Sequence, residues 1–124
     1  MQYFVLWARD WFQRVRQLNP HDANSAIRLG MCLTWLHKFP QAESYFVMGY
    51  ELDPNGYYTA SLIGWNYLQN HRYEQAKKWL DRSLQLYDGD NPIARGLLRI
   101  VEPRLEEEVR QRQQRQNVTP QLLN

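Results

Sequence analysis

A single cysteine, Cys32, excludes any internal disulfide and is compatible with any compartment. Histidine is equally thin: His21, His37 and His71 are scattered, with no i,i+4 pair and no cysteine partner at metal-ligand spacing. His37 and His71 stand 34 residues apart in equivalent turns, but two histidines make no preferred metal site, and both read as exposed turn residues. Gly49, Gly56 and Gly64 fall in different elements, so there is no glycine-rich phosphate loop. The longest early apolar run, Tyr3 to Ala8, is far shorter than the roughly 20 residues of a membrane-crossing helix, and no leader peptide is recognisable. An excess of one charge is missing too. Against 15 Lys and Arg stand 13 Asp and Glu, a net charge of +2, and most of the arginine excess lies in the C-terminal tail. No nucleic-acid partner is expected. The carboxylates Glu43, Glu51, Asp53, Glu74 and Asp81 fall on predicted outer helix faces or turns, where solvation is the default. With no catalytic constellation, no metal set and no cofactor motif, the chain reads as a non-enzyme.

What is present is apolar surface in a repeating arrangement. The 124 residues are 44% apolar and 14% aromatic, enough for one domain with a respectable core and too apolar for wholesale disorder. The stretch from Ala23 to Gly56, ANSAIRLGMCLTWLHKFPQAESYFVMGYELDPNG, reads as two amphipathic helices with a short turn between them. A shift of 34 residues places Leu29-Gly30 on Ile63-Gly64, Ala42 on Ala76, Phe46 on Leu80 and Leu52 on Leu86. A constant offset of this size marks a repeat architecture, in which one helical hairpin cannot bury its apolar face without neighbours.

The pattern predicts a first helix from Gln2 to Leu18, apolar at Phe4, Ala8, Trp11, Phe12, Val15 and Leu18 and stopped by Asn19-Pro20. Leu6 and Trp7 lie beside that stripe, so this helix expects contact on two sides. Asp22 is the expected N-cap of a helix from Ala23 to Leu36, with Ala26, Leu29, Gly30 and Leu33 inward and Cys32 in a small interior slot. Pro40 suits the first turn of the next helix, which runs to Leu52 and presents Ala42, Tyr45, Phe46 and Gly49. Gly30, Ala42 and Gly49 are small where two helix backbones approach closely. Tyr57 to Gln69 and Tyr73 to Tyr87 repeat the pair, and Asn91-Pro92, a cap and a first-turn proline, opens a last helix with Ala94, Leu97, Leu98 and Val101 in phase. Pro103 ends or kinks it. The segment RLEEEVRQRQQRQ beyond carries the favourable pairs Glu106/Arg110 and Glu108/Arg112, and disorder is expected from Asn117 onward. The organisation expected is a partial unit over 1–22, unit one over 23–56, unit two over 57–90, a capping helix over 91–116 kinked near 103, and a tail over 117–124.

These positions resemble the tetratricopeptide repeat family, whose unit favours a large residue, Leu-Gly, an aromatic, Ala, an aromatic, Ala and Pro at fixed places. Leu29, Gly30, Leu33, Ala42, Phe46, Gly49 and Pro54 match in unit one, and Ile63, Gly64, Tyr67, Ala76, Leu80 and Ser83 in unit two. Ala26, Ala60 and Asp88 depart from the pattern. Ala8, Phe12, Val15, Leu18 and Pro20 match the second helix of a preceding unit. The resemblance implies an all-α fold: a right-handed α-solenoid of antiparallel helix pairs with about six helices, a truncated first unit and a C-terminal capping helix. It also implies a protein or peptide partner on the concave face, lined by the first helix of each unit. Those positions are Asn24, Ile27, Arg28, Met31 and Trp35, then Tyr58, Ser61, Leu62, Trp65 and Gln69, then Arg95 and Arg99. The family's charged clamp for a C-terminal carboxylate wants Lys and Asn where this chain has Ile27 and Met31, so that clamp is not carried over. An aromatic and methionine-lined groove flanked by arginines suits an apolar or amphipathic segment with some negative charge. The competing reading is that Met31, Trp35 and Trp65 only pack against neighbouring helices.

The strings LGMCLTWL, LDPNGYY, GWNYL and DNPIAR are similar to the tetratricopeptide segment at the C-terminal end of bacterial O-antigen-ligase-like membrane proteins. That likeness implies a structural or docking segment of a larger chain, cytoplasmic or extramembranous at the inner membrane, with membrane association only through the parent chain. The first helix adds an apolar patch at Phe4, Leu6, Trp7 and Trp11, and patches of this kind mark interfaces. A missing upstream helix, self-association through the first helix, or a membrane interface would each explain it, and the repeat phase favours the helix.

Overall fold

Helices form wherever the 3.6-residue apolar spacing runs, and local chemistry stops each of them. A computed structural model describes residues 2–123, with side chains described over 3–117. Its elements are α1 (Gln2–Leu18), α2 (Ala23–Trp35), α3 (Phe39–Leu52), α4 (Tyr57–Gln69), α5 (Tyr73–Leu86) and α6 (Pro92–Leu123), with no strand among the described residues. Asp22 caps α2 as expected, its carboxylate accepting from the Asn24 amide at 3.1 Å. Pro40 sits in the first turn of α3.

The two inner turns close identically. His37 and His71 adopt the left-handed conformation, with φ of 60° and 57°. Around them the Lys38 amide bonds the Leu33 carbonyl and the His37 amide bonds Thr34; Arg72 bonds Tyr67 and His71 bonds Leu68 in the same way. This pairing satisfies the orphan carbonyls that end α2 and α4, at the cost of a side chain where glycine is usual.

Each helix packs on the next in chain order, while α2 also touches α4 and α4 touches α6. The hairpins therefore stack with their first helices adjacent, giving an all-α solenoid. The interior is two linked apolar clusters. Leu29, Leu33, Ala42, Phe46, Leu62 and Ile63 form one, and Leu68, Ala76, Leu80, Ala94, Leu98 and Val101 form the other. Close approach depends on glycine. A Cβ on Gly30 would lie 2.7 Å from the Phe46 ring, and one on Gly64 would lie 2.7 Å from Leu80 Cγ.

The last helix departs from expectation in part. Asn91 stands before Pro92 with its carbonyl accepting from the Arg95 amide at 3.3 Å, and its buried side-chain amide also donates to the Tyr87 carbonyl at 3.0 Å and to Ser83, closing the end of α5. Pro103 does not end the last helix, because a proline forfeits one backbone bond to the residue four before it and the neighbouring bonds carry the helix on. The α6 helix is described to Leu123, with Arg110–Glu107 and Arg112–Glu108 pairs at 2.8 and 2.6 Å along its stretch beyond Pro103, while Asn124 lies outside the described residues.

Two predictions follow from the packing. Gly64→Ala should destabilise by about 1–3 kcal/mol through overpacking against Leu80. Gly96→Ala, where nothing lies within 4 Å of the new carbon, should gain about 0.5–1 kcal/mol from helix propensity. Urea unfolding of both variants checks the contrast. The second concerns Tyr67, whose hydroxyl donates to Glu43 Oε1 at 2.6 Å and joins α4 to α3. Burial first, then that bond, pushes its phenol up to about 12. The folded chain thus keeps the proton more tightly than the unfolded one, whose value is near 10.0. Stability from this group is whole below the unfolded value and is lost as pH rises toward the folded one. Denaturation midpoints of wild type should fall more steeply with alkaline pH than those of Tyr67→Phe.

Candidate functional site

The side chains of greatest interest lie where α1, α2, α4 and the start of α6 face one another. Two apolar hollows open there. The first, of about 480 Å³, is lined by Phe4, Val5, Trp7, Ala8, Trp11 and Phe12 of α1 and by Arg28, Met31, Cys32 and Trp35 of α2. The second, of about 420 Å³, is lined by Met31 and Trp35, Leu62 and Trp65 of α4, and Pro92, Ile93, Gly96 and Leu97 of α6. Met31 and Trp35 belong to both, so they form a shared wall. Trp35 is 60% exposed and meets Trp65 edge-on with ring centroids 5.7 Å apart. On α1 the exposed rings of Phe4, Trp7 and Trp11 form a ladder, with centroids 6.2 and 6.3 Å apart and the two indoles nearly parallel.

A buried polar lock holds this wall in place. Asn66 Nδ2 donates to the Phe39 carbonyl at 3.1 Å, which orients its Oδ1 toward the Thr34 hydroxyl at 2.7 Å. The bond ties α2 to α4 beside Trp35 and Trp65, and it satisfies groups that burial would otherwise penalise. A second lock joins Ser61 to Ser83 at 2.7 Å, with Ser83 donating to the Tyr57 carbonyl at 2.7 Å.

The structure sorts the residues expected on the concave face. Arg28, Met31, Trp35, Leu62 and Trp65 line the hollows. Asn24, Tyr58, Gln69, Arg95 and Arg99 are exposed along the same helices, and the Arg95 guanidinium donates to the Asp88 carbonyl. Two do not reach the open face. Ser61 is fully buried in its lock with Ser83. Ile27 is half-buried and turned toward α3, so that a Cβ on Gly49 would meet its Cγ1 at 2.8 Å. Both occupy the same place in the repeat, one step around the helix toward its hairpin partner. Of α6, the sequence points to Arg95 and Arg99 on this face, and the structure adds Pro92, Ile93, Gly96 and Leu97; Pro92 and Gly96 stand 34 residues beyond Tyr58 and Leu62, so the offset contains them. The Phe4, Trp7 and Trp11 patch, read as a separate surface, opens into the same depression through Trp35.

The electrostatics are one-sided. From Ala23 to Trp35, Tyr57 to Gln69 and Pro92 to Val101, the helices of this face carry Arg28, Arg95 and Arg99 and not one Asp or Glu. Burial raises the Cys32 thiol above its usual range, with Arg9 opposing weakly, so it is a poor nucleophile. His37 rests edge-on against Phe39, and His71 against Tyr73 with Nδ1 3.0 Å from the hydroxyl, each engaged within its own turn. Among the described residues no three His, Cys, Asp or Glu side chains are placed to share a metal ion, and no helix is long and apolar enough to cross a membrane.

No protein-family model matches the chain. Over 72 residues it is 31% identical to the anaphase-promoting complex subunit CDC16 of Saccharomyces cerevisiae, a match covering 58% of this chain and 9% of CDC16. The chain thus spans under a tenth of the length of that curated relative. Among solved structures, it superposes on the first tetratricopeptide domain of Spaghetti (RPAP3) bound to the HSP90 peptide SRMEEVD with a TM-score of 0.76 and 24% identity, covering 85% of this chain and 82% of that one. It superposes on YrrB, a tetratricopeptide protein described as having an unusual peptide-binding site, with a TM-score of 0.72 and 25% identity, covering 77% of this chain and 48% of that one.

The Cys32 environment makes a prediction. Native chain at neutral pH should react with an aromatic disulfide reagent at least about tenfold more slowly than free cysteine, since burial holds down the thiolate fraction. Unfolding in guanidinium should remove the difference, and stopped-flow absorbance reads both rates.

Proposed function

We propose that this tetratricopeptide-repeat solenoid is a non-catalytic protein-interaction module, holding a peptide or partner segment on the face built by α2, α4 and the start of α6. The observation that carries the reading is the joined apolar depression around Trp35, open to solvent and edged by arginine. Buried aromatic anchors beside arginine are where interfaces concentrate binding energy, and a monomer rarely leaves such a patch unused. The peptide in the RPAP3 complex and the peptide-binding site named for YrrB support the class of partner. Arg28, Met31, Trp35, Leu62 and Trp65 form the centre of the site, with Asn24, Tyr58, Gln69, Arg95 and Arg99 on its rim.

A second reading makes the chain a docking segment of a larger bacterial membrane-associated protein, attached through α1. The exposed ladder Phe4, Trp7 and Trp11 favours it. The two readings differ in which tryptophan matters, because Trp65 is absent from the hollow that α1 lines.

Panning a displayed random-peptide library on the chain should enrich binders that lose at least about tenfold in affinity with Trp35→Ala, Trp65→Ala or Arg28→Glu, a loss of about 1.4 kcal/mol, measured where circular dichroism shows each variant folded. Binders that ignore Trp65 and Arg28 but fail with Trp7→Ala would transfer the function to α1. Failure to enrich any binder would remove the peptide-binding reading.

A further inference from the structure

The depression is not only apolar but almost without groups that can pair with a peptide backbone. Across both hollows the lining side chains able to form strong hydrogen bonds are Arg28 and the tryptophan indoles. The polar side chains beneath, Thr34, Asn66, Ser61 and Ser83, are already bonded to one another or to carbonyls. No strand edge exists among the described residues to accept an added strand. An extended segment laid here would find few partners for the backbone donors and acceptors it turns toward the surface.

A helix has no such difficulty, since its backbone is satisfied within itself. The surface also has the right periodicity. Phe4, Trp7 and Trp11 on α1, and Arg28, Met31 and Trp35 on α2, repeat at steps of three and four, so they form ridges between which the side-chain rows of another helix can seat. The charge is also selective. Arg28, Arg95 and Arg99 share the stretches 23–35, 57–69 and 92–101 with no carboxylate, and Asp10 of α1 is paired with Arg9, which favours Asp and Glu at the edges of the occupant.

We infer that the occupant is an amphipathic α-helix, apolar at i, i+3/i+4 and i+7 and acidic along its flanks, lying across Trp35 so that one stripe of side chains fills both hollows. The inference rests on the peptide-binding reading above. It makes the ladder of α1 and the hollow of α4 and α6 two ends of one site. A flat anionic bilayer would meet the same arginines and aromatics, but a helix fits more closely between the α1 and α2 ridges and among α2, α4 and α6.

Two displayed libraries on the full chain test this: one unconstrained, and one templated as a helix with random residues on a single face. The helix-templated winners should bind more tightly and carry acidic flanks. A central proline should weaken them by at least about tenfold, as should Trp35→Ala, while both Trp11→Ala and Trp65→Ala should weaken the same peptide. Winners that tolerate the central proline, or that lose affinity on backbone N-methylation at alternate residues, would show an extended ligand and overturn the inference while leaving a peptide-binding face. No winner from either library would overturn the underlying reading as well. Phosphatidylserine vesicles supply the remaining arm: co-sedimentation that the helical peptide does not compete would assign the face to a membrane and overturn the helix.

Discussion

Everything in this molecule is built on the seating of a large side chain from the second helix of a hairpin against a glycine of the first. Phe46 fills the space over Gly30, and Leu80 fills the space over Gly64, in each case closer than any added carbon allows. With glycine there, the two backbones approach and Leu29, Ile63, Phe46 and Leu80 become wholly enclosed. The buried face of each hairpin is then flat enough to stack, and stacking brings the first helices side by side. The aromatic depression is a product of that spacing: Trp35 and Trp65 come within edge-to-face reach only because their helices neighbour each other.

The two faces of the solenoid divide the chemistry between them. Carboxylates such as Glu43, Glu51, Glu74 and Asp81 lie on the second helices of the hairpins, and one of them, Glu43, is drawn inward to bond Tyr67. The first helices keep arginine, tryptophan, methionine and glycine. A surface of that composition is complementary to the acidic, apolar helix proposed above. Gly96 completes it by leaving open space where any side chain would begin to fill the second hollow.

Most of the fold was legible in the chain because the features that encode it are local. Periodicity, Asp22, Pro40 and the 34-residue offset placed five helices to within a residue or so of their observed ends. The last helix was harder. Proline at 103 and a run of glutamine and arginine are weak local signals, and the helix persists through neighbouring backbone bonds and ion pairs at three and four residue spacing. The concave face was legible only as far as the repeat could be projected. Ser61 and Ile27 satisfy the projection but turn inward, because a helix position beside a glycine faces the hairpin partner rather than the open side. That the α1 ladder and the central hollow share a wall at Trp35 is a long-range fact, and no residue spacing encodes it.

The Thr34–Asn66 lock has an effect beyond holding two helices together. Thirty-four residues on, the same two places in the repeat hold Leu68 and Ile100, neither able to form a side-chain hydrogen bond, so this bonded pair is not repeated between α4 and α6. Hairpins of nearly equal outline invite mis-pairing, within one molecule or between several, because their greasy faces look alike to one another. Setting α2 where α4 belongs would part the Asn66 amide from the Thr34 hydroxyl, a loss of about 0.5–1.5 kcal/mol, although that hydroxyl keeps the Gly30 carbonyl 3.0 Å away in its own helix. One hydrogen bond thus makes the joint between α2 and α4 chemically unlike the joint between α4 and α6, and it favours the observed order of the units.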